Sequence, residues 1–273
     1  MFRHSNKPLI MGILNTTPDS FSDGGQFTDL QTAIRRVEVM MKEGADIIDI
    51  GGESTRPGSD PVNAVEQLKR VVPVIETIRS HVSQSILISI DTTSAQVAEA
   101  ALNAGANLIN DVSAGLNDSR ILTLAAERRA PIILMHSQGS PKTMQDKPYY
   151  EDVVLEVIAA LKNRIAIAIK SGIKQENIII DPGIGFGKRK QDNLDLLAHL
   201  DTFVALGFPV LLGASRKRFM GTLCAVEQPS ELVTATAVTT ALGVVAGVQL
   251  FRVHDVEENK QAVEVAWAIN QSK

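Results

Sequence analysis

Eight polar or charged residues each follow a short apolar run, and they are the first candidates for chemistry. Carboxylates and side-chain amides that face one pocket can bind a flat heterocycle rich in N–H donors, such as an aminopyrimidinone. A buried carboxylate costs free energy unless it is paired, so a single Asp could instead cap a helix or lock two strands together. Three of the eight, Asp91, Asn110 and Asp181, together favour a ligand. In chain order the eight are Asn15, Glu53, Asp91, Asn110, His136, Asp181, Ser215 and Arg252.

Basic residues gather after the last two apolar runs. The segment Ser215-Arg216-Lys217-Arg218 follows one run, and Arg252 and His254 follow the other. Arg252 and His254 are two positions apart, so in an extended chain their side chains point the same way. A basic cluster is usually solvated surface, but the loops after strands 7 and 8 of a parallel barrel often bind phosphate. The spacing predicts an anion site, and Asn15 could hold a metal ion or a phosphate oxygen.

Glycine-containing segments follow the first, second and sixth runs. The segment from Asn15 to Gly25 could be a plain surface loop, but its length, single aromatic residue and two glycines also suit a mobile lid. Arg56 in the second segment, GGESTRPGSD, is either solvated or a planar fork for phosphate or carboxylate. The sixth segment, DPGIGFGK, lacks the G-x-x-x-x-G-K-[ST] spacing of a phosphate loop. Its glycines instead predict close backbone approach, with Phe186 on a pocket wall.

The elements that must position these residues alternate between strand and helix. Short runs of Ile, Leu and Val without alternation are typical of strands covered on both faces. Eight such units predict an α/β fold, a parallel (β/α)8 TIM barrel, as a single domain over residues 1–273. An open doubly wound sheet, the alternative, would carry G-x-G-x-x-G where this chain has TTPDSFSDGG. Predicted strands cover residues 8–14, 47–50, 86–90, 107–109, 132–135, 178–180, 210–213 and 249–253, and predicted helices cover 31–43, 60–81, 94–103, a stretch ending at 171, 193–206, 230–246 and 256–270.

Bulk properties argue against several classes of protein. The formal net charge of −4 disfavours nucleic acid as the main partner, because phosphate backbones attract a basic face. Cys224 is the only cysteine, so no intrachain disulfide can form, and a reducing, cytoplasmic location is expected. The N-terminal segment has no long apolar stretch and no run reaches about 18 apolar residues, so neither a signal peptide nor a membrane span is expected. No Cys/His cluster suggests a zinc site.

Eight motifs, in order along nearly the whole chain, resemble those of the dihydropteroate synthase family of folate biosynthesis. They are MGILNTTPDSFSDGG, GGESTRPG, ISIDTT, INDVSA, ILMHSQGSP, IIDPGIGFGK, LLGASRKRF and FRVHDV. The resemblance implies a transferase that joins 6-hydroxymethyl-7,8-dihydropterin diphosphate to 4-aminobenzoate, giving 7,8-dihydropteroate and diphosphate. It also implies Mg²⁺ as a cofactor, sulfonamides as competitors of 4-aminobenzoate, and a homodimer formed through helices on the flank of the barrel. The Ala- and Thr-rich helix that starts at Ser230 fits such an interface or, equally, a buried core.

The same resemblance implies roles for individual residues. Asn15 would bind Mg²⁺, and Arg252 would stack on the pterin plane and hold the diphosphate together with His254. Asp19 would stabilise a cation or order the lid, and His136 receives no role. The implied catalytic residues are Asp19, Asp91, Asp181 and Lys217. The implied contacts of pterin diphosphate are Thr55, Asp91, Asn110, Met135, Asp181, Lys217, Arg252 and His254, and those of 4-aminobenzoate are Phe21, Arg56, Pro57, Phe186 and Ser215.

The order of bond changes also comes from the resemblance, which implies that the C–O bond of the pterin substrate breaks before the arylamine attacks. Diphosphate leaves more readily when Mg²⁺, Arg252 and His254 neutralise its growing charge. Two alternatives stay open. A related barrel that transfers a methyl group from methyltetrahydrofolate to a corrinoid would not need the basic residues after strands 7 and 8 or the TPDSF segment. A paralogue that binds pterin without catalysis would be expected to lose them.

Overall fold

Eight parallel strands form the centre of the molecule. The computed structural model describes residues 7–16, 25–54, 58–139 and 142–272, and of residues 25–29 it describes the backbone alone. The strands are β1 (Leu9–Asn15), β2 (Ile47–Gly51), β3 (Leu87–Asp91), β4 (Leu108–Asp111), β5 (Ile132–Met135), β6 (Ile178–Asp181), β7 (Leu211–Leu212) and β8 (Leu250–Val253). Their order is β6-β5-β4-β3-β2-β1-β8-β7, and a bridge between Ile180 and Val210 joins the two end strands. The sheet therefore closes, which confirms the predicted barrel and makes the doubly wound alternative wrong.

Helices surround the strands. They are α1 (Gly25–Lys42), α2 (Ala64–Thr77), α3 (Ala95–Ala104), α4 (Arg120–Arg128), α5 (Val153–Lys170), α6 (Lys190–Ala198), α7 (Leu200–Val204), α8 (Arg218–Cys224), α9 (Val233–Ala246) and α10 (Val256–Gln271). The outward-facing strand residues, such as Ile48, Ile90 and Ile180, are buried beneath them in one large apolar cluster. Among the described residues, no helix is both long enough and apolar enough to span a membrane.

Several predicted helix boundaries are wrong. The first helix begins at Gly25 rather than at residue 31. The second begins at Ala64 because Asn63, not Asp60, is the N-cap and accepts a hydrogen bond from the Glu66 amide. It ends at Thr77 and continues as one π-helical turn, Ile78–Val82. Asp and Asn are about equally good caps, so the sequence alone did not distinguish the two starts.

Two helical regions have more breaks than predicted. The predicted helix over residues 193–206 is two helices, α6 and α7, which meet at His199. The predicted helix over residues 230–246 begins at Val233, after a short 3₁₀ turn, Pro229–Glu231. The eight-unit pattern predicted a helix after β4 but gave no bounds for α4, and it did not predict α8. Both are short, at 9 and 7 residues, so neither presents a long periodic pattern.

The interior of the barrel is built in layers, because alternate residues of a strand point to the same side. One layer is apolar and packs as a separate cluster, made of Met11, Ile47, Leu108, Ile133, Ile179, Leu211 and Leu250. Two residues further along six of those strands, towards their carboxyl ends, lie Asp49, Asn110, Met135, Asp181, Gly213 and Arg252. The barrel thus places three of the eight predicted strand-end residues, Asn110, Asp181 and Arg252, in one layer with Asp49, directly above an apolar floor.

Candidate active site

The polar layer contains a buried ion network centred on Arg252. Its Nε donates to Asp49 Oδ2 at 2.6 Å, and its Nη2 donates to Asp91 Oδ2 at 2.6 Å. Asn110 Nδ2 donates to the same Asp49 oxygen at 3.1 Å. The guanidinium group therefore joins β8 to β2 and β3, and Asp49 joins β4 to the same network. Because a guanidinium stays protonated in proteins, this network keeps a permanent positive charge among the carboxylates.

Asp49 was not among the predicted site residues, although it lies at the centre of this network. It is fully buried in the middle of β2, between Ile48 and Ile50. Asp49 Oδ1 and Ser89 Oγ, which is on its register partner in β3, are buried and have no hydrogen-bond partner among the described residues. The available signal was the charge itself, since a carboxylate inside an apolar strand needs a specific partner.

Asp181 lies on the opposite side of the polar layer, at the end of β6. Its Oδ1 accepts a hydrogen bond from the Gly183 amide at 2.7 Å. Burial raises the pKa of Asp181 to about 6, and the Gly183 amide and the charge of Lys217 oppose the rise. Burial also raises the pKa of Asp91 to about 7, against the attraction of Arg252. Burial therefore makes both carboxylates easier to protonate than they would be in water.

The loops after β7 and β8 are tied together at the mouth of the barrel. Ser215 Oγ lies 3.0 Å from His254 Nδ1 and accepts a hydrogen bond from the His254 amide at 3.1 Å. Arg216 Nε donates to Asp255 at 3.0 Å. The basic residues predicted to bind an anion all line one cavity of about 660 Å³, namely Arg216, Lys217, Arg218, Arg252 and His254. Arg216 is at the same time held in its ion pair with Asp255.

Phe186 and Lys217 form one wall of that cavity. The Lys217 Nζ atom lies 4.1 Å from the centroid of the Phe186 ring, close enough for a cation–π contact. Burial and, to a smaller extent, the charge of Arg252 lower the pKa of Lys217 to about 8. Phe186 also lines a second cavity, of about 840 Å³, which lies beside the loops that follow β2, β3 and β4. Phe186 therefore borders both the basic mouth of the barrel and this second space.

Ten of the predicted site residues fall within the described ranges, and the barrel brings them to one end. They are Asn15, Asp91, Asn110, Met135, Asp181, Phe186, Ser215, Lys217, Arg252 and His254. Asp19, Phe21, Thr55, Arg56 and Pro57 lie outside the described residues. The Ser215 hydroxyl contacts His254, so its nearest described partner belongs to the anion site rather than to an arylamine pocket. These positions make the predicted roles sterically compatible with one shared site.

Two further strand-end residues stabilise loops. Asp111 Oδ1 accepts hydrogen bonds from the amide and hydroxyl of Ser113, and its Oδ2 accepts from Gly115. Glu53 accepts hydrogen bonds from the Val62 amide at 2.9 Å and from Gln67 Nε2 at 3.1 Å. Both carboxylates therefore stabilise the segment that follows their strand, a role that differs from the helix cap or inter-strand lock considered from the sequence.

A metal site at this mouth would have few protein ligands. The described residues contain no group of three or more His, Cys, Asp or Glu side chains arranged to hold a metal ion. Asn15, at the end of β1, contributes one amide oxygen to the cavity that Arg252 and His254 line. Mg²⁺ usually takes one or two protein oxygens and completes its shell with phosphates and water. The donors present fit a Mg²⁺ ion that arrives with a diphosphate.

Comparison with known proteins identifies a family whose members bind pterins. The family described as "Pterin binding enzyme" matches residues 11–254. The dihydropteroate synthase of Synechocystis sp. is 45% identical over 269 residues, covering 98% of this chain and 92% of that protein. That of Streptococcus pyogenes serotype M6 is 49% identical over 257 residues, covering 94% and 93%. These relatives favour pterin condensation over the methyltransferase alternative.

Solved structures show the same architecture. Dihydropteroate synthase of Xanthomonas albilineans with 4-aminobenzoic acid superposes with a TM-score of 0.90 at 44% identity, covering 98% of this chain and 94% of that one. The Clostridium difficile enzyme in the presence of pteroic acid gives a TM-score of 0.92 at 42% identity, covering 98% and 99%. The barrel, its polar layer and these relatives lead to one conclusion: the chain belongs to the dihydropteroate synthase family of pterin-binding enzymes.

Proposed function

We propose that this chain condenses 6-hydroxymethyl-7,8-dihydropterin diphosphate with 4-aminobenzoate at the carboxyl end of its barrel. The observation that carries the proposal is the barrel interior, in which Asn110, Asp181 and Arg252 share the polar layer. Asp91 pairs with Arg252, and His254 lies two residues beyond Arg252 at the mouth. Carboxylate and amide groups suit the N–H-rich edge of a pterin, and the basic residues suit a diphosphate. One barrel interior therefore offers both halves of the first substrate a complementary surface.

The pterin half of the substrate enters the polar layer. Asp181 accepts hydrogen bonds from the aminopyrimidinone edge, and Asn110 reads the same edge from the opposite side. Met135 is buried at the end of β5, where it forms an apolar wall. Lys217 donates to the polar edge of the ring. Arg252, which Asp49 and Asp91 hold in place, lies against the pterin plane.

The diphosphate half lies at the mouth of the cavity. Arg252 and His254 neutralise the charge that develops on diphosphate as the C–O bond breaks and the bonding electrons leave with it. Asn15 would hold a Mg²⁺ ion, which when bound supplies further charge neutralisation on the phosphate oxygens. The resulting pterin cation is stabilised by its own ring and by the carboxylates of Asp91 and Asp181.

The arylamine half of the reaction takes place beside Phe186. The amine lone pair of 4-aminobenzoate forms the new C–N bond at the pterin methylene, and the nitrogen releases one proton to solvent or to the departing diphosphate. Phe186 and Lys217 form the described part of this wall. The roles expected for Asp19, Phe21, Thr55, Arg56 and Pro57 remain part of the proposal, as contacts from the two loops outside the described residues.

The direct test is product formation by the purified chain. The protein is mixed with the pterin diphosphate and 4-aminobenzoate, with and without Mg²⁺, and 7,8-dihydropteroate is measured by mass spectrometry. We expect product when both substrates and Mg²⁺ are present, and none when either substrate is omitted. A sulfonamide should raise the KM for 4-aminobenzoate without changing kcat. Absence of product with all components present would contradict the proposed function.

We also propose a homodimer formed through α9 and α10, in the cytoplasm. The two helices are joined by a buried hydrogen bond from Thr240 to Asn259, and both expose large apolar side chains. These are Val238, Leu242, Val245, Val265 and Ile269. Cys224 is exposed and forms no disulfide, which fits a reducing compartment.

The dimer is tested by substitution on α9. Leu242→Glu should shift the molar mass in light scattering from that of a dimer to that of a monomer, whereas Leu155→Glu on α5 should not. A monomeric wild-type chain would contradict the proposal.

A further inference from the structure

Lys188 is a buried cation in the segment between β6 and α6, and only 3% of its surface is exposed. Its Nζ lies 3.0 Å from His136 Nδ1 and donates to the carbonyl oxygens of Phe186 at 3.0 Å and His136 at 3.4 Å. A lysine ammonium has three donors and no acceptor. The three protons therefore have three acceptors, and His136 accepts through Nδ1 with its own proton on Nε2.

The charges around Lys188 fit this assignment. Burial and, to a smaller extent, the charge of Lys188 lower the pKa of His136 to about 3, so the imidazole is neutral at physiological pH. Burial lowers the pKa of Lys188 to about 7, with Lys217 acting in the same direction and Asp181 and Asp192 opposing. The two carbonyl oxygens around Lys188 can only accept, so the geometry makes Lys188 the donor and the neutral His136 an acceptor.

The segment that carries Lys188 is packed backbone against backbone on the loop after β5. A Cβ atom on Gly183 would lie 1.8 Å from the His136 carbonyl oxygen, and one on Gly187 would lie 2.2 Å from the Gln138 carbonyl oxygen. Both glycines have positive φ, at 69° and 63°. Tyr150 donates to the Gly187 carbonyl at 2.9 Å. Glycine at these positions is thus what allows the segment to approach closely.

Phe186 connects this packed segment to the active site, because it contacts both Lys188 and Lys217. Lys188 holds the carbonyl group of Phe186 itself, and the Phe186 ring faces Lys217. The main chain of Phe186 is therefore held by Lys188, and Phe186 lines both cavities. A shift of this main chain would move the ring without altering the carboxylates that face the pterin.

We propose that Lys188 and His136 are positioning residues, which fix Phe186 and thereby set the affinity of the site for the arylamine. This inference rests on the proposed function, since it assigns Phe186 to the 4-aminobenzoate wall. It gives a role to His136, which the strand-end pattern singled out and which no step of the reaction uses. Neither residue touches the reacting atoms, so the expected effect is on binding of one substrate rather than on both.

The first test replaces Lys188 with a side chain of similar length and no charge. We expect Lys188→Met to raise the KM for 4-aminobenzoate roughly tenfold, the equivalent of one lost charge-assisted hydrogen bond. The KM for the pterin diphosphate should change less than about twofold. Lys162→Met, on the exposed face of α5, is the matched control and should change neither constant. Equal increases in both KM values would overturn the proposal.

Hydrogen exchange gives a readout that does not depend on turnover. Amides of residues 183–188 should exchange faster in Lys188→Met than in the wild-type chain, while amides of β6 keep their protection. Unchanged exchange in residues 183–188 would overturn the proposal even if the KM had changed. Wild-type protein that makes no dihydropteroate would instead contradict the proposed function, so the two failures are distinguishable.

The His136 side of the pair is tested by rescue. His136→Asn keeps an acceptor near the Nδ1 position, so it should keep the arylamine KM within about threefold of wild type. His136→Leu removes the acceptor and should reproduce the tenfold increase expected for Lys188→Met. Because the leucine substitution leaves the buried cation with two carbonyl acceptors, the thermal midpoint of both variants is measured alongside. Identical behaviour of the Asn and Leu variants would overturn the role of the imidazole.

Discussion

Two layers of the barrel interior, separated by two residues along the same strands, have opposite physical character. On β4, Leu108 belongs to the apolar layer and Asn110 to the polar layer. On β8 the same step leads from Leu250 to Arg252. The apolar layer gains stability from burial, whereas the polar layer places charges out of water and recovers the cost only through specific pairs. Along each strand, the residue in the apolar layer therefore contributes mainly to stability, and the residue two positions later contributes mainly to the active site.

The apolar layer should carry the largest effect on stability. Leu108 is fully buried in its cluster, so Leu108→Ala removes transfer free energy and leaves a cavity. We expect the free energy of unfolding to fall by about 2–5 kcal/mol, measured by urea denaturation. The kcat/KM values for both substrates should stay within about twofold of wild type at a temperature where the variant is folded. A large loss of kcat/KM in folded protein would show that the two layers are not separable.

The polar layer should show the reverse pattern in Asp181→Asn. The substitution removes the charge that accepts from the pterin edge, so kcat/KM for the pterin diphosphate should fall about 10- to 100-fold, or about 1.5–3 kcal/mol. The thermal midpoint should stay equal or rise, because burial of this carboxylate is costly, as its raised pKa shows. Near-normal turnover would refute the role of Asp181, and a large fall in the midpoint would assign it to folding.

The sequence predicted the polar layer only in part. Asn110, Asp181 and Arg252 were predictable because each interrupts an apolar run at the end of a strand. Asp49 was missed because it lies inside an apolar run, between two isoleucines, rather than at its end. Its partner Arg252 is on a strand far away in sequence, so only the three-dimensional structure identifies the pair. Lys188 was missed for a related reason, since its acceptors come from two different strand–helix connections.

Lowering the pH should change protein stability and pterin affinity in opposite directions through Asp181. The pKa of Asp181 is raised to about 6, above its value in the unfolded chain, so the folded protein takes up this proton first as the pH falls. Its contribution to stability is present at low pH and is lost as the pH rises through 6. Affinity for the pterin moves the opposite way, because the carboxylate form accepts the hydrogen bonds.

We expect the Kd for 6-hydroxymethylpterin, which has no diphosphate, to rise about tenfold between pH 7 and pH 5. Isothermal titration calorimetry at several pH values measures this change. Asp91, whose pKa is raised to about 7, titrates in the same range, so the comparison is between wild type and Asp181→Asn. The difference between the two plots of Kd against pH gives the part of the pH dependence that is due to Asp181. Parallel curves would show that its ionisation does not control pterin binding.

Asp49→Asn is the smallest change and the sharpest test of the boundary between the layers. Asp49 stands directly above Ile47 on β2 and accepts hydrogen bonds from Arg252 and Asn110 through one oxygen. An Asn at this position can still accept through its carbonyl oxygen, but Arg252 then faces one carboxylate, Asp91, instead of two. We expect the Kd for the pterin diphosphate to rise about threefold to tenfold, which corresponds to about 1 kcal/mol.

The stability of the same variant decides how Asp49 acts. If Asp49 serves to orient Arg252, the free energy of unfolding should change by less than about 1 kcal/mol, because loss of one buried charge offsets loss of its pairing. Arg252→Met is the comparison, since it leaves both carboxylates buried without their cation and should cost about 3–5 kcal/mol. If Asp49→Asn were as unstable as Arg252→Met, Asp49 would act mainly in folding, like the residues of the apolar layer. The part of β2 that acts in binding would then begin at Gly51.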